Sequence, residues 1–311
     1  MRPARRKSER GFILVNALLI VAALTAAAVL LLSRAEAGRN RLERAREVAQ
    51  VGLYLDGFEA LVLSILDRDR LAGASDHPGE DWARATYDIA VDRGRVAGQI
   101  ADLQGRFNIN WLTSPDIPEA RPGFARLAAT IGLPPARIAA IQTYVSRARD
   151  GAEGGLAAYA RLPVPIHPRG RPVSMIEELR QVAGLREDEF IRLRRLVTAL
   201  PPETPLNINT ATPEVLASLL PEGAERTARS VVFARQNAPF ATLEDFLVFL
   251  DATSDIDTEL LNPLLFSVES NWFLVETAAS LGATARRRNT VVQRQGPTRR
   301  ARVIYRLRMQ E

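Results

Sequence analysis

The chain has 311 residues, 47% of them hydrophobic: enough for one large or two modest domains, and too apolar for wholesale disorder. It has no cysteine, which excludes disulfides and thiolate chemistry. The net charge of +5 suggests nucleic acid or acidic lipid, yet residues 1–11 alone carry Arg2, Arg5, Arg6, Lys7 and Arg10 against Glu9, and the remainder is near +1.

The basic N-terminus runs into Phe12–Leu32, 21 residues without a charge. At ~1.5 Å per residue they reach ~31 Å, the thickness of a bilayer's hydrocarbon core. Basic residues on the N-terminal side place that end in the cytoplasm and the rest outside. The competing reading is a cleavable signal peptide with Ala35-Glu36-Ala37 as its site, although a signal's apolar region is usually only ~7–15 residues long.

Beyond the span, Val48, Val51, Leu55, Phe58, Val62 and Ile65 recur at helical spacing. A solvated stretch with Arg39, Arg41, Glu43, Arg44, Arg46 and Glu47 separates them from the membrane. One helix from Phe12 to about Leu66 accounts for both segments, with Gly38 and Gly57 as its weak points. Next, residues 73–79 form a loop. Thr86–Val91 and Arg95–Ala101 read as a hairpin about the turn Asp92-Arg93-Gly94.

From about 106 to 265 the signals are helical, with starts at Ser114-Pro115, at Ser174 ahead of Glu177, and at Thr212-Pro213-Glu214. A loose repeat runs through this part: GRFNINWLTSP at 105–115 parallels PLNINTATPEV at 205–215. Asparagine side chains bond nearby backbone groups and open helices, a sufficient structural reason for the pattern. Ser267–Ala278, Asn289–Gln293 and Arg302–Met309 are strand candidates. In the last, Val303, Tyr305, Leu307 and Met309 alternate with Arg302, Ile304, Arg306 and Arg308, one buried face and one largely basic. Arg286-Arg287-Arg288 and Arg299-Arg300 read as flanking solvated segments or as a docking patch for an acidic partner.

The N-terminal architecture resembles type IV pilin-like proteins: a short basic leader ending in glycine, a hydrophobic residue, then a retained membrane helix. The resemblance implies cleavage between Gly11 and Phe12 by a prepilin peptidase, and N-methylation of Phe12. Glycine has no Cβ and lets a protease backbone approach closely. The family's usual fifth mature residue is glutamate; here it is Asn16, which removes a charge from the assembly contact.

LNINTATPEVLASLLP also resembles helix-hairpin-helix DNA-binding modules. From 201 to 270, however, Arg226, Arg229 and Arg235 face eleven acids, a net of −8 that repels a phosphate backbone. The ordered combination of a pilin-type start lacking the glutamate, DLQGRFNIN, EELRQVAGL, LNINTATPEVL and a C-terminal β region resembles the general secretion pathway protein K family. These are the large minor pseudopilins of type II secretion. The resemblance covers nearly the whole chain. It implies an α+β, type IV pilin-like fold, a long N-terminal helix packed on a small antiparallel sheet, with a large inserted all-α domain. The expected organisation is a leader at 1–11, a transmembrane part at 12–32, a pilin-like domain at 33–105 and 266–311, and an inserted helical domain at 106–265. The implied role is the tip of a periplasmic pseudopilus that exports folded proteins. The implied partners are minor pseudopilins I and J, the prepilin peptidase and the inner-membrane assembly platform. The implied location is the bacterial inner membrane, with the bulk of the chain in the periplasm. The alternative is a membrane-anchored helix-hairpin-helix protein that binds DNA.

No hydrolase or oxidoreductase constellation emerges, and no phosphate loop carries a lysine, so an enzyme is not expected. His77 and His167 stand in proline-containing loops as ordinary surface residues. The resemblance implies a calcium site near an acidic loop with Gly-Ala-Glu, matched in part by Asp150-Gly151-Ala152-Glu153. Calcium takes six to eight oxygen ligands, so Asp150 and Glu153 alone leave the site incomplete. Asp251, Asp255, Asp257 and Glu259 lack EF-hand spacing and read as a helix-entry loop.

Overall fold

The computed structural model describes residues 9–73, 75–83, 86–150, 172–294 and 300–309. Helix α1 runs unbroken from Glu9 to Ala72, 64 residues or ~96 Å. Gly38 and Gly57 lie inside it without interrupting it. Its buried stripe is Val51, Leu55, Phe58, Val62 and Leu66, each 5% exposed or less. Val48, counted in the stripe by spacing, is exposed, and Ile65 is half-buried beside Leu66. The covering sheet ends at Glu47, where the Thr284 hydroxyl donates to its carboxylate at 2.8 Å.

The sheet has five antiparallel strands in the order β1-β2-β7-β8-β9: Tyr87–Val91, Gly94–Asp102, Trp272–Leu281, Thr284–Gln293 and Arg302–Met309. One face lays Val96, Ile100, Phe273, Val275 and Val292 against the α1 stripe. At Gly98 a Cβ would lie 2.4 Å from the Phe58 ring, so glycine is what lets helix and sheet meet here. The other face presents Leu103 and Val291 to Leu200, with Trp272, Leu274 and Tyr305 around them.

Strand β9 corrects the simple alternation. A bulge pairs Val291 with Tyr305 but Val292 with Val303. The extra residue turns Val303 to the α1 side and Tyr305 to the opposite side. Arg306 therefore reaches Glu59 of α1 at 2.5 Å. Arg286-Arg287-Arg288 also differs from expectation, because it lies within β8. Arg288 bonds Asp56 of α1 at 2.5 Å; Arg286 and Arg287 stay exposed.

Strands β2 and β7 are neighbours in the sheet but are separated in sequence by a helical body. Among the described residues its helices are α2 (Ala120–Thr130), α3 (Pro135–Asp150), α4 (Glu187–Leu196), α5 (Pro213–Leu219), α6 (Glu225–Asn237) and α7 (Leu243–Thr253). Two short parallel pairs stitch it: β3 (Phe107–Asn108) with β4 (Val197–Thr198), and β5 (Leu206–Asn207) with β6 (Phe266–Ser267). One apolar core runs through the body, from Phe107 and Phe124 to Phe246 and Phe266.

The two Asn-Ile-Asn segments do parallel work. Asn108 and Asn207 each accept from the backbone N–H two residues on. Asn110 brackets Val173, donating to its carbonyl and accepting from its N–H at 2.8 Å each. Asn209 does the same to Phe240, at 2.9 and 3.0 Å. Such pairing satisfies backbone groups that no ladder reaches. Thr212 caps α5 with Pro213 at its first position. The other two expected starts are weaker. Ser114 closes a 3-10 turn at Ile109–Thr113, and α2 begins only at Ala120. Glu177 lies in a 3-10 turn, Ile176–Gln181, which Gly184 follows at φ +78.

Candidate functional site

The N-terminal third of α1 is a functional element by exposure. Large apolar side chains from Phe12 to Leu32 are 52–69% exposed, and the most apolar 18-residue stretch has a mean hydropathy of 2.6 with none of it buried. Burying one such side chain is worth ~1.5–3 kcal/mol. A run of this length in water is therefore strongly unfavourable, and a hydrocarbon environment resolves it. Inside the run, the Thr25 hydroxyl donates to the Val21 carbonyl at 2.8 Å and so needs no outside partner. Gly11 and Phe12 sit within the first turns of α1, and Asn16 follows Phe12 by four residues, on the same helical face.

At the far end of α1 the helical body is mounted on the sheet by a buried polar junction. Arg294, just past β8, is 2% exposed and bonds both oxygens of Asp76, at 2.5 and 2.6 Å. It also reaches Asp69 of α1 at 2.8 Å and the Ser270 carbonyl at 2.5 Å. Its guanidinium stacks 5.1 Å from the Phe273 ring centre. Ser270 returns its N–H to Asp76 at 2.7 Å and its hydroxyl to Asp102 at 2.6 Å. Asn207 of the body donates to the Asp76 carbonyl at 3.0 Å and to Ser270 Oγ at 2.8 Å. Gln104 links the Pro205 and Glu269 carbonyls and accepts from the Asn271 N–H at 2.6 Å. The loop after α1, the ends of β2, β7 and β8, and the body thus share one network.

The electrostatics of this junction are tense. Burial pushes Asp102 up to about 6, against hydrogen bonds from Ser270, Thr210 and Gln104 that hold it down. Burial, with Glu80 and Asp76 nearby, pushes Asp69 up to about 6, against the pull of Arg294. Asp69, Asp76 and Glu80 bring carboxylate oxygens within 4.8 Å of one another, a grouping that could hold a cation. Arg294 already bonds two of the three, and Glu80 accepts from the His77 N–H and the Trp82 indole.

Of the two expected calcium residues, one lies among the described residues. Asp150 closes α3, while Glu153 lies outside the described residues, as does His167. Asp251 and Asp257 serve local turns, accepting from the Thr258 hydroxyl at 2.8 Å and the Glu259 N–H at 3.1 Å. His77 is half-buried, its Nδ1 accepting from the Gly79 N–H. Residues 220–224, where a helix-hairpin-helix module would have its hairpin, turn at Gly223, φ +86, but Arg235 faces inward to the Ile208 and Ala211 carbonyls. Of the three arginines between 201 and 270, Arg226 and Arg229 are exposed and Arg235 is not, and the DNA-binding reading finds no support.

Comparison with known proteins is consistent along the chain. Two family models described as type II secretion system protein K match residues 105–202 and 206–264, so each begins at or beside one of the Asn-Ile-Asn segments. The type II secretion system protein K of Pectobacterium carotovorum subsp. carotovorum is 30% identical over 301 residues, covering 89% of this chain and 90% of that protein. That of Pseudomonas aeruginosa is 29% identical over 293 residues, covering 89% and 86%. A chain in the crystal structure of the GspK-GspI-GspJ complex from the enterotoxigenic Escherichia coli type 2 secretion system superposes with a TM-score of 0.75. It is 23% identical, and the match covers 87% of this chain and all of that one, a likeness of fold.

Proposed function

Because the chain belongs to the type II secretion system protein K family, we propose that it is a minor pseudopilin, the non-catalytic structural subunit that caps the periplasmic pseudopilus. It is made as an inner-membrane precursor with its N-terminus in the cytoplasm, cut between Gly11 and Phe12 by a prepilin peptidase, methylated at Phe12, and taken up by the assembly platform. Its neighbours are the counterparts of the I and J subunits that accompany protein K in the solved complex.

One observation carries this reading: where the helical body sits. The β7–β8 turn meets α1 at Glu47, while the junction meets it at Asp69 and, through an Arg70–Glu269 bond of 2.7 Å, at Arg70. The body therefore hangs from the end of the sheet farther from the membrane, more than 30 Å along α1 from the β7–β8 turn. In a stack of parallel helices, the next subunit outward would need that space. Asn16 acts in the same sense: a neutral carboxamide brings no charge to a contact that a carboxylate would strengthen in lipid.

Co-purification of the full chain with its I and J counterparts tests the proposal. A discrete three-component complex with one copy of this chain supports it. Filaments built from this chain stacked on itself contradict it.

A further inference from the structure

Between the span and the folded domain, residues 34–46 of α1 are bare: every one is exposed, and the sheet begins to touch the helix only at Glu47. This collar holds Arg34, Arg39, Arg41, Arg44 and Arg46 against Glu36 and Glu43. Its one ion pair among the described residues, Arg39–Glu43 at 4.0 Å, joins side chains 81% and 62% exposed, and such a pair contributes little. We propose that the collar is a lipid-binding surface, its arginines taking the phosphates of anionic lipids in the leaflet where the span emerges. This rests on the reading of Phe12–Leu32 as a bilayer span.

Position and angle both favour lipid. At ~1.5 Å per residue, Arg34 stands ~3 Å and Arg39 ~10 Å beyond Leu32. The headgroup layer is roughly 5–8 Å thick, and arginine side chains bend back toward it. Arg41 stands ~14 Å beyond Leu32, within about one Debye length (~8 Å) of the headgroup layer, and Arg44 and Arg46, at ~18 and ~21 Å, reach that field only through side chains bent back toward the membrane. At about 100° per residue, Arg34, Arg41 and Arg44 share one flank of the helix and Arg39 and Arg46 the other. A partner helix reads a single stripe, whereas lipid headgroups surround the helix.

The uncut chain has five basic residues before the span, Arg2 to Arg10, and five in the collar. Cleavage at Gly11 leaves the collar as the only basic segment flanking the span. The mature subunit is then held by the leaflet through which it must be drawn during assembly, and the collar sets how firmly.

The test is native mass spectrometry of the full mature chain released from nanodiscs of equimolar phosphatidylcholine and phosphatidylglycerol. The retained lipid should favour phosphatidylglycerol by roughly fivefold, the effect of one arginine near the phosphate plane. Replacing all five collar arginines with glutamine should abolish the preference, while Arg286→Gln with Arg287→Gln should keep it. Equal retention of both lipids by the native chain, or a preference that survives the five replacements, overturns the inference and leaves the span intact. A chain that does not enter the nanodiscs overturns the span, and the collar's role with it.

Discussion

Arg294 and Asp76, 218 positions apart in sequence, form a two-pronged ion pair at 2.5 and 2.6 Å with both side chains 3% exposed or less. The pair closes the end of the sheet on the loop that follows α1, and through Ser270 and Asn207 it holds the helical body in place.

Removing one partner of a buried pair is costly because the other charge stays buried. Arg294→Met leaves Asp69, Asp76 and Glu80 facing one another and should lower stability by about 3–5 kcal/mol. Adding Asp76→Asn should recover part of that loss. Denaturant unfolding of the full chain in detergent measures both.

The helix–sheet contact has a separate weak point at Gly98. A methyl group there meets Phe58 and the Glu276 carbonyl at 2.4–2.8 Å. Gly98→Ala should cost about 1–3 kcal/mol by overpacking. Hydrogen exchange should show the loss around 51–66 of α1 and not in the distant α7.

Stability should also depend on pH in an unusual direction. Asp69 and Asp102 have an ordinary value of 3.8 and titrate at about 6 in the fold. Between these values the folded chain holds protons that the unfolded chain has lost, so stability falls as pH rises through the window. Unfolding at about pH 5 and about pH 8 should differ by on the order of 2–3 kcal/mol in favour of the acid side. Asp102→Asn should shrink the difference. The exposed pairs of Asp88, Glu187 and Asp188, held below the ordinary carboxylate range by Arg95, Arg180 and Arg186, act at lower pH and leave the window clear.

Processing should hinge on Gly11. Gly11→Leu places a side chain where the peptidase backbone must pass, and the precursor should accumulate uncut, read as a slower band on a denaturing gel. Asn16→Glu should leave cleavage unchanged and alter only how readily the subunit enters the complex.

Much of this fold is legible in local pattern. The apolar run, the heptad-like stripe and the hairpin about Asp92-Arg93 each follow from residues within one or two turns of each other, and all appear in α1, β1 and β2. The repeated Asn-Ile-Asn pointed to Asn207, but not to what it bonds. Asp76, Asp102, Ser270 and Arg294 carry no local signal, because their partners lie up to about two hundred residues away and only the closed sheet brings them together. The β9 bulge was hidden for a related reason: alternation continues through it in sequence, and only pairing with β8 reveals the slipped residue.

Retention of the apolar segment as an anchor after maturation separates a membrane-held subunit from a released periplasmic protein. Intact-mass and N-terminal sequencing of the chain purified from membranes measure this directly. The predicted result is a chain that begins at Phe12 with one methyl group on its amine. A chain that begins after Ala37, freed of the apolar segment, would contradict it.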